Sequence, residues 1–116
     1  MTPAPEELAG AISGHRFDEA IPYLSEAVEW DLVGEAVLAG RNAVIDALRK
    51  TAAGLAGVRT DFTRFAVVAQ ADAAVVDSVA EYTDAEGGRT VVGSCDVYAF
   101  ADGLITGIRS YNVEIG

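Results

Sequence analysis

The amino-acid sequence predicts an α+β domain in which helices pack against one side of a curved, mainly antiparallel β-sheet. Apolar residues recur at helical spacing in three segments before residue 56, and four long runs of strand-forming residues follow them. Helices segregated from a strand meander in this way are typical of the α+β class. The length of 116 residues and the apolar content of 51% fit one domain, 1–116, with its own core.

The three predicted helices lie in the first half of the chain. The first runs from Glu6 to Ser13 and ends at Gly14. A second helix, capped by Asp18, is predicted from apolar residues that recur every three or four positions, namely Phe17, Ile21, Leu24 and Val28. The third is 41–55, with an apolar stripe towards the sheet. His15, at the first break, is interpreted as a surface turn residue rather than a base or ligand.

The predicted strands begin with the segment AVEWDLVGEAVLAG, which indicates a short hairpin or bent strand between the second and third helices. A meander follows over 61–70, 73–83, 91–100 and 104–113, and Asp102-Gly103 supplies its last tight turn. Alternation along 73–83 places one set of side chains towards the interior: Val76, Ser78, Ala80 and Tyr82.

Composition excludes several classes of function. The balance of 18 acidic to 8 basic residues gives a net charge of -10, which disfavours nucleic acids and anionic membranes as partners. The segment MTPAPEELAG lacks a basic start and an apolar core, so a cytoplasmic protein is expected. One cysteine, Cys95, and one histidine, His15, argue against an internal disulfide and a multi-histidine metal site. No cofactor is expected, because no glycine-rich phosphate loop is present.

Two aspartates are the candidate catalytic residues. Asp96 shares a strand face with Tyr98 and Phe100, and a carboxylate among large apolar groups is costly to ionise unless it is hydrogen-bonded. Asp31 lies in the first hairpin beside Trp30. The alternatives are a solvated or capping role for Asp96, and an ordinary strand-end aspartate for Asp31.

Three segments, GHRFDEAIPYLSEAVEW, LAGRNAVIDAL and DVYAFADGLITGIRSY, resemble the NTF2-like superfamily, which includes the SnoaL-like proteins. The resemblance implies a cone in which a curved mixed or antiparallel sheet wraps around three α-helices and encloses a deep apolar pocket. Asp31-Leu32-Val33-Gly34 and the strand around Asp96 are similar to the ketosteroid isomerases. That similarity implies that Asp31 is a general base and that Asp96 is a protonated oxyanion donor.

The resemblance also implies a substrate and pocket walls. The expected activity is proton transfer next to a carbonyl in a small hydrophobic substrate, such as a steroid-like enone or a polyketide. Alternation and the match to the family assign the substrate-binding residues: Trp30, Val76, Ser78, Ala80, Tyr98, Phe100, Ile108, Ser110 and Asn112. The isomerases' first-helix tyrosine is missing, since Glu6-Glu7-Leu8 stands there, and Tyr98 is best placed to replace it.

Two other functions remain open on the sequence. One is a SnoaL-like polyketide cyclase, which also uses acid–base aspartates. The other is a non-catalytic module that binds a small ligand or dimerises. The outer sheet face is apolar enough to predict a homodimer; it would present Cys95, Val97, Ala99, Arg109 and Tyr111.

Overall fold

A computed structural model describes residues 2–116. It contains two α-helices and six strands, in the order α1 (Pro5–Ser13), β1 (Leu24–Leu32), β2 (Ala36–Ala39), α2 (Arg41–Leu55), β3 (Arg59–Ala69), β4 (Ala73–Thr83), β5 (Arg89–Ala101) and β6 (Leu104–Glu114). Within that range, no helix is both long enough and apolar enough to cross a bilayer. The α+β class is confirmed.

The six strands form one mixed sheet in the order β2-β1-β6-β5-β4-β3. Neighbouring strands are antiparallel except β1 and β6, which pair in parallel with Trp30 beside Ile108. The predicted meander is confirmed as β3 to β6. Register shifts interrupt the β3–β4 pairing at Phe62/Arg64 and the β5–β6 pairing at Ala99/Phe100, and such irregularities bend strands.

The predicted second helix is wrong. Two short 3-10 turns, Phe17–Glu19 and Ile21–Tyr23, occupy its first part, and β1 begins at Leu24. Leu24 and Val28 are both buried, as predicted, but on one face of a strand. A spacing of four residues places side chains on the same face of either a helix or a strand, so the apolar pattern could not distinguish them. Residues 2–116 therefore contain two α-helices rather than the three predicted.

The core lies between the two helices and the inner face of the sheet. Helix α1 packs over β3 and β4, whereas α2 packs over β1 and β2. The largest fully buried side chains are Leu8, Val28, Val44, Leu48, Val76, Tyr98 and Ile105. Since the helices cover different halves of the sheet, a gap remains between them over its centre.

Helix α1 ends in a Schellman motif with histidine in the left-handed position. The amide of His15 donates to the carbonyl of Ile12 (3.1 Å), and the amide of Arg16 donates to the carbonyl of Ala11 (2.8 Å). His15 has a φ of 65°. Glycine usually occupies this position because a Cβ atom is strained there. The motif directs the chain, and with it the imidazole, towards the gap between the helices.

Replacing Gly14 by Ala should destabilise the fold by about 1–3 kcal/mol, as overpacking typically does. A Cβ atom at this position would lie 2.7 Å from the backbone oxygen of Gly10. Gly54→Ala is the matched control, because nothing lies within 4 Å of its Cβ position in α2. There the same change should stabilise the protein by about 0.5–1 kcal/mol through helix propensity. Urea unfolding measures both, and a shift of the same sign in both variants would contradict the steric argument.

Candidate active site

A cavity of about 430 Å³ lies between the two helices and the centre of the sheet. Its apolar walls are Ile12, Phe17, Trp30, Leu32, Ala47, Phe62, Ala80, Val92 and the ring of Tyr98. Its polar groups are Ser13, His15, Glu35, Thr51, Ser78, Tyr82, Ser94, Asp96, Ser110 and Asn112. Apolar walls with a few converging polar groups are typical of small-molecule sites.

Asp96 is held by a hydrogen-bonded chain at one wall of the cavity. The hydroxyl of Ser13 donates to Oδ2 of Asp96 over 2.7 Å, and its oxygen lies 2.7 Å from the hydroxyl of Tyr98. Since the single Ser13 proton points to Asp96, the Tyr98 hydroxyl is the donor to Ser13. Burial raises the pKa of Tyr98 well above its usual value, so this phenol stays protonated. The carboxylate of Asp96 therefore has a fixed orientation.

His15 and Tyr82 form a second polar pair in the same cavity. Nε2 of His15 lies 3.5 Å from the Tyr82 hydroxyl, and the two rings are stacked with centroids 6.0 Å apart. Burial lowers the pKa of His15 from its ordinary value of 6.5, although the negative charge of Asp96 opposes that shift. Burial and the charge of Asp96 both raise the pKa of Tyr82. At neutral pH the imidazole is therefore neutral and the phenol is a hydrogen-bond donor.

The structure brings most of the predicted site residues to this cavity. Asp96 lines it, together with Trp30, Ser78, Ala80, Tyr98, Ser110 and Asn112. The indole nitrogen of Trp30 donates to Ser110 over 2.9 Å, which fixes the indole against the sheet. Three predicted residues, Val76, Phe100 and Ile108, belong instead to the buried core and do not line the cavity.

Asp31 does not line the cavity, so the structure does not bring the two candidate aspartates together. Trp30 and Leu32 line the cavity, and adjacent residues of a strand point to opposite faces. Asp31 therefore faces the outside of the sheet, where it lines a shallow groove with Val97 and Arg109. It lies opposite Arg109 in the parallel register of β1 and β6. A base role at this cavity is incompatible with that position.

Six polar cavity residues were not assigned to the site from the sequence, namely Ser13, His15, Glu35, Thr51, Tyr82 and Ser94. Tyr82 was predicted to point inward, but Tyr98 was preferred as the replacement donor; the structure instead buries Tyr98 completely and bonds it to Ser13. His15 was interpreted as a surface turn residue, yet it lines the cavity. Ser13 had no local signal, because its partners Asp96 and Tyr98 are 83 and 85 residues away in the chain.

The variant Ser13→Ala should lower the free energy of unfolding by about 1–3 kcal/mol, because it leaves the buried Tyr98 hydroxyl without a partner. The double variant Ser13→Ala/Tyr98→Phe removes both hydroxyls and should be more stable than Ser13→Ala alone. Urea unfolding of the single and double variants forms a double-mutant cycle. If the loss of unfolding free energy in the double variant equalled the sum of the losses in the two single variants, the hydrogen bond between Ser13 and Tyr98 would be contradicted.

Lowering the pH through the ordinary histidine pKa of 6.5 should destabilise the protein. The pKa of His15 is depressed by folding, so below that value the unfolded state binds more protons than the folded state. The contribution of His15 to the free energy of unfolding is therefore present at higher pH and is lost as the pH falls. The free energy of unfolding, measured between about pH 7.5 and pH 5.5, should fall less in His15→Asn, which tolerates a left-handed backbone. If the free energy of unfolding of His15→Asn depended on pH as strongly as that of the wild type, the assignment of this pH dependence to His15 would be contradicted.

Comparison with known proteins found a family and a set of similar structures. A model of the SnoaL-like domain matches residues 6–108. An NTF2-like protein of unknown function from Cytophaga hutchinsonii is 26% identical, with a TM-score of 0.76 over 95% of this chain and 100% of that chain. No curated protein matches.

Two further structures share the fold at lower identity. A LEH-like epoxide hydrolase from M. tuberculosis is 19% identical, with a TM-score of 0.68 over 94% of this chain and 82% of that chain. A putative polyketide cyclase from Xanthomonas campestris is also 19% identical, with a TM-score of 0.68 over 93% and 92% of the two chains. At this identity the likeness concerns the fold alone.

Proposed function

Because this chain belongs to the SnoaL-like domain family, we propose that it is an acid–base enzyme that moves a proton at a carbon next to a carbonyl. The proposal is carried by one observation, the oriented carboxylate of Asp96 in a cavity of about 430 Å³. The substrate is small and mainly apolar, and both a steroid-like enone and a polyketide contain a suitable carbon. Asp96 takes the role of base in place of the protonated oxyanion-donor role that the family resemblance implies for it, since Asp31 faces the other side of the sheet.

In the proposed reaction, the carboxylate of Asp96 removes a proton from the carbon next to the substrate carbonyl. Oδ2 is occupied by Ser13, and no donor among residues 2–116 is bonded to Oδ1, which leaves that oxygen for the proton. The electron pair of the broken C–H bond moves towards the carbonyl oxygen and forms an enolate. The Tyr82 hydroxyl donates a hydrogen bond to this oxygen, and the neutral imidazole of His15 positions the phenol.

The enolate has two productive outcomes. Return of the proton from Asp96 to a different carbon of a conjugated substrate gives an isomer. Attack of the enolate carbon on a second carbonyl of the same molecule gives a ring, with the proton passing to the new alkoxide. The first is an isomerase-like and the second a cyclase-like reaction, and both begin with the same proton transfer by Asp96.

Epoxide hydrolysis is less well supported by the cavity. Limonene epoxide hydrolases, another branch of the NTF2-like superfamily, need an Asp-Arg-Asp network, and in this chain Tyr82 and Ser110 stand where the arginine and the second aspartate of that network would be. No Arg or Lys side chain lines the cavity in the described part of the chain. Proton transfer needs no such cation.

The proposal is tested by exchange of the α-protons of 2-tetralone in deuterated buffer, followed by NMR, and by isomerisation of 5-androstene-3,17-dione. The expected result is α-proton exchange well above the buffer rate, with dependence on Asp96. Exchange measures the first step alone and does not depend on the natural substrate. Saturable binding of 2-tetralone without exchange above the buffer rate would overturn the proposal in favour of a non-catalytic binding module.

We also propose that the outer sheet face, which presents Cys95, Val97, Ala99, Arg109 and Tyr111, joins two copies of the chain. The centre of the contact is formed by Glu29, Asp31, Val97, Ala99 and Arg109. These residues line one groove in which acidic and basic groups flank apolar ones. A two-fold axis would place Arg109 of each copy against the acids of the other, and such self-complementarity is what a symmetric interface requires. Sedimentation equilibrium should give twice the chain mass of 12.1 kDa; a monomer at all concentrations would exclude this interface.

A further inference from the structure

A row of three polar residues crosses the sheet wall of the cavity at some distance from Asp96. Ser78 of β4 pairs with Ser94 of β5, which pairs in turn with Asn112 of β6. All three side chains line the cavity. The hydroxyl of Ser94 donates to Oδ1 of Asn112 over 2.7 Å. This bond occupies the amide oxygen of Asn112 and leaves its NH₂ group as a free donor.

Ser78 is the residue of this row whose side chain has the fewest hydrogen-bond partners. Its residue is only 4% exposed, yet its hydroxyl has no hydrogen-bond partner among residues 2–116. No polar side-chain atom in that range is both sealed from solvent and unpaired, so the remaining accessible surface of this hydroxyl is towards the cavity. Buried hydroxyls are normally paired. The Ser78 hydroxyl is therefore available for a hydrogen bond with a group inside the cavity.

The position of the row determines how far apart two ligand groups would be. Ser94 and Asp96 are two residues apart on β5 and point to the same face, which separates them by about 7 Å. The cavity lining contains the acids Asp96 and Glu35, no Arg or Lys side chain in the described chain, and His15, whose imidazole is neutral at neutral pH. A negatively charged group beside the row would therefore face no opposite charge, whereas a hydroxyl or carbonyl oxygen could accept a hydrogen bond from Ser78 or from the Asn112 amide.

We propose that Ser78, Ser94 and Asn112 form a subsite for a second, uncharged oxygen of the substrate. This oxygen, a hydroxyl or carbonyl, lies about 7 Å from the carbon that faces Asp96. The inference rests on the proposed function, because it assigns the reacting carbon to the Asp96 end of the same cavity. It narrows the substrate class to neutral molecules oxygenated at two separated positions.

The subsite is tested by equilibrium binding of three fluorescent naphthalenes. They are 2-naphthol, with one hydroxyl; 2,6-dihydroxynaphthalene, with a hydroxyl at each end; and 6-hydroxy-2-naphthoic acid, with an anionic group at one end. The wild type should bind the diol about 10-fold more tightly than 2-naphthol, a difference of about 1.4 kcal/mol. The naphthoic acid should bind more weakly than the diol.

The double variant Ser78→Ala/Asn112→Leu should bind both 2-naphthol and the diol with the affinity that the wild type has for 2-naphthol. The control Thr106→Val removes a hydroxyl from the outer face of β6 and should keep the preference for the diol. Circular dichroism checks that each variant is folded. The subsite is overturned if the wild type does not prefer the diol, if it binds none of the probes, or if the preference survives in the double variant.

These outcomes are separate from those of the turnover assay. A wild type that exchanges α-protons but shows no diol preference would overturn the subsite and leave the proton-transfer function standing. A diol preference without any exchange would support the subsite as a binding feature and overturn the catalytic proposal.

Discussion

Replacing Asp96 by Asn is expected to slow α-proton exchange about 100- to 10,000-fold, the range typical for loss of a general base. Asparagine has nearly the same size, and its Oδ1 atom can still accept the hydrogen bond from Ser13, so the fold should be kept. Its amide cannot take a proton at neutral pH. The loss should therefore fall on kcat rather than on KM, because substrate binding in the apolar cavity is unchanged.

Asp31→Asn is the matched control for that experiment. It makes the same chemical change in a strand that also borders the cavity, but on the outer face beside Arg109. Its exchange rate should equal that of the wild type. Equal losses of exchange rate in the two variants would contradict the assignment of the base to Asp96 on the ground that it lines the cavity and Asp31 does not. A fully active Asp96→Asn would show that Asp96 is not the base.

Replacing Tyr82 by Phe should cost about 100- to 1,000-fold in kcat, as the loss of one oxyanion donor typically does. The phenol ring and its stacking on His15 are kept, so the stability of the fold should change little. The raised pKa of Tyr82 adds a second expectation. Since the pKa of the phenol lies above its ordinary value of 10.0, the midpoint of any loss of wild-type rate through ionisation of Tyr82 should also lie above that value.

Tyr23→Phe is the control for Tyr82→Phe, because Tyr23 packs against the core and does not line the cavity. It should leave kcat and KM at their wild-type values. A rise in KM with unchanged kcat in Tyr82→Phe would mean that the phenol binds ground state and transition state equally. That result would remove Tyr82 from the proposed chemistry and leave it as a binding residue.

Sequence patterns predicted the part of the fold that depends on near neighbours. Alternation in β4 correctly placed Ser78 and Tyr82 on the inward face, and Asp102-Gly103 correctly marked the turn between β5 and β6. These signals are local, because strand pleating and tight turns are set by a few consecutive residues. The same alternation in β5 places Asp96 on the strand face that lines the cavity.

The parts that were missed depend on contacts between distant segments. The pairing of Ser13 with Asp96 joins α1 to β5, and no pattern within either segment announces it. His15 was interpreted from its position in a turn alone. Its orientation towards the cavity depends on the Schellman motif, in which the carbonyls of Ala11 and Ile12 accept hydrogen bonds. Asp31 was assigned by likeness to a family motif, and the alternation of Trp30 and Leu32 around it excludes that role.

The parallel pairing of β1 with β6 has a consequence for how the chain folds during synthesis. Trp30 of β1 lies beside Ile108 of β6. The strand β1 is therefore synthesised well before β6 and cannot form this pairing until β6 is available. Contacts of such long sequence separation form slowly, and unpaired strand edges are prone to aggregate meanwhile. While it emerges from the ribosome, the growing chain therefore exposes the edge of β1 until β6 arrives. Chaperone demand should then fall once β6 has left the ribosome and paired with β1.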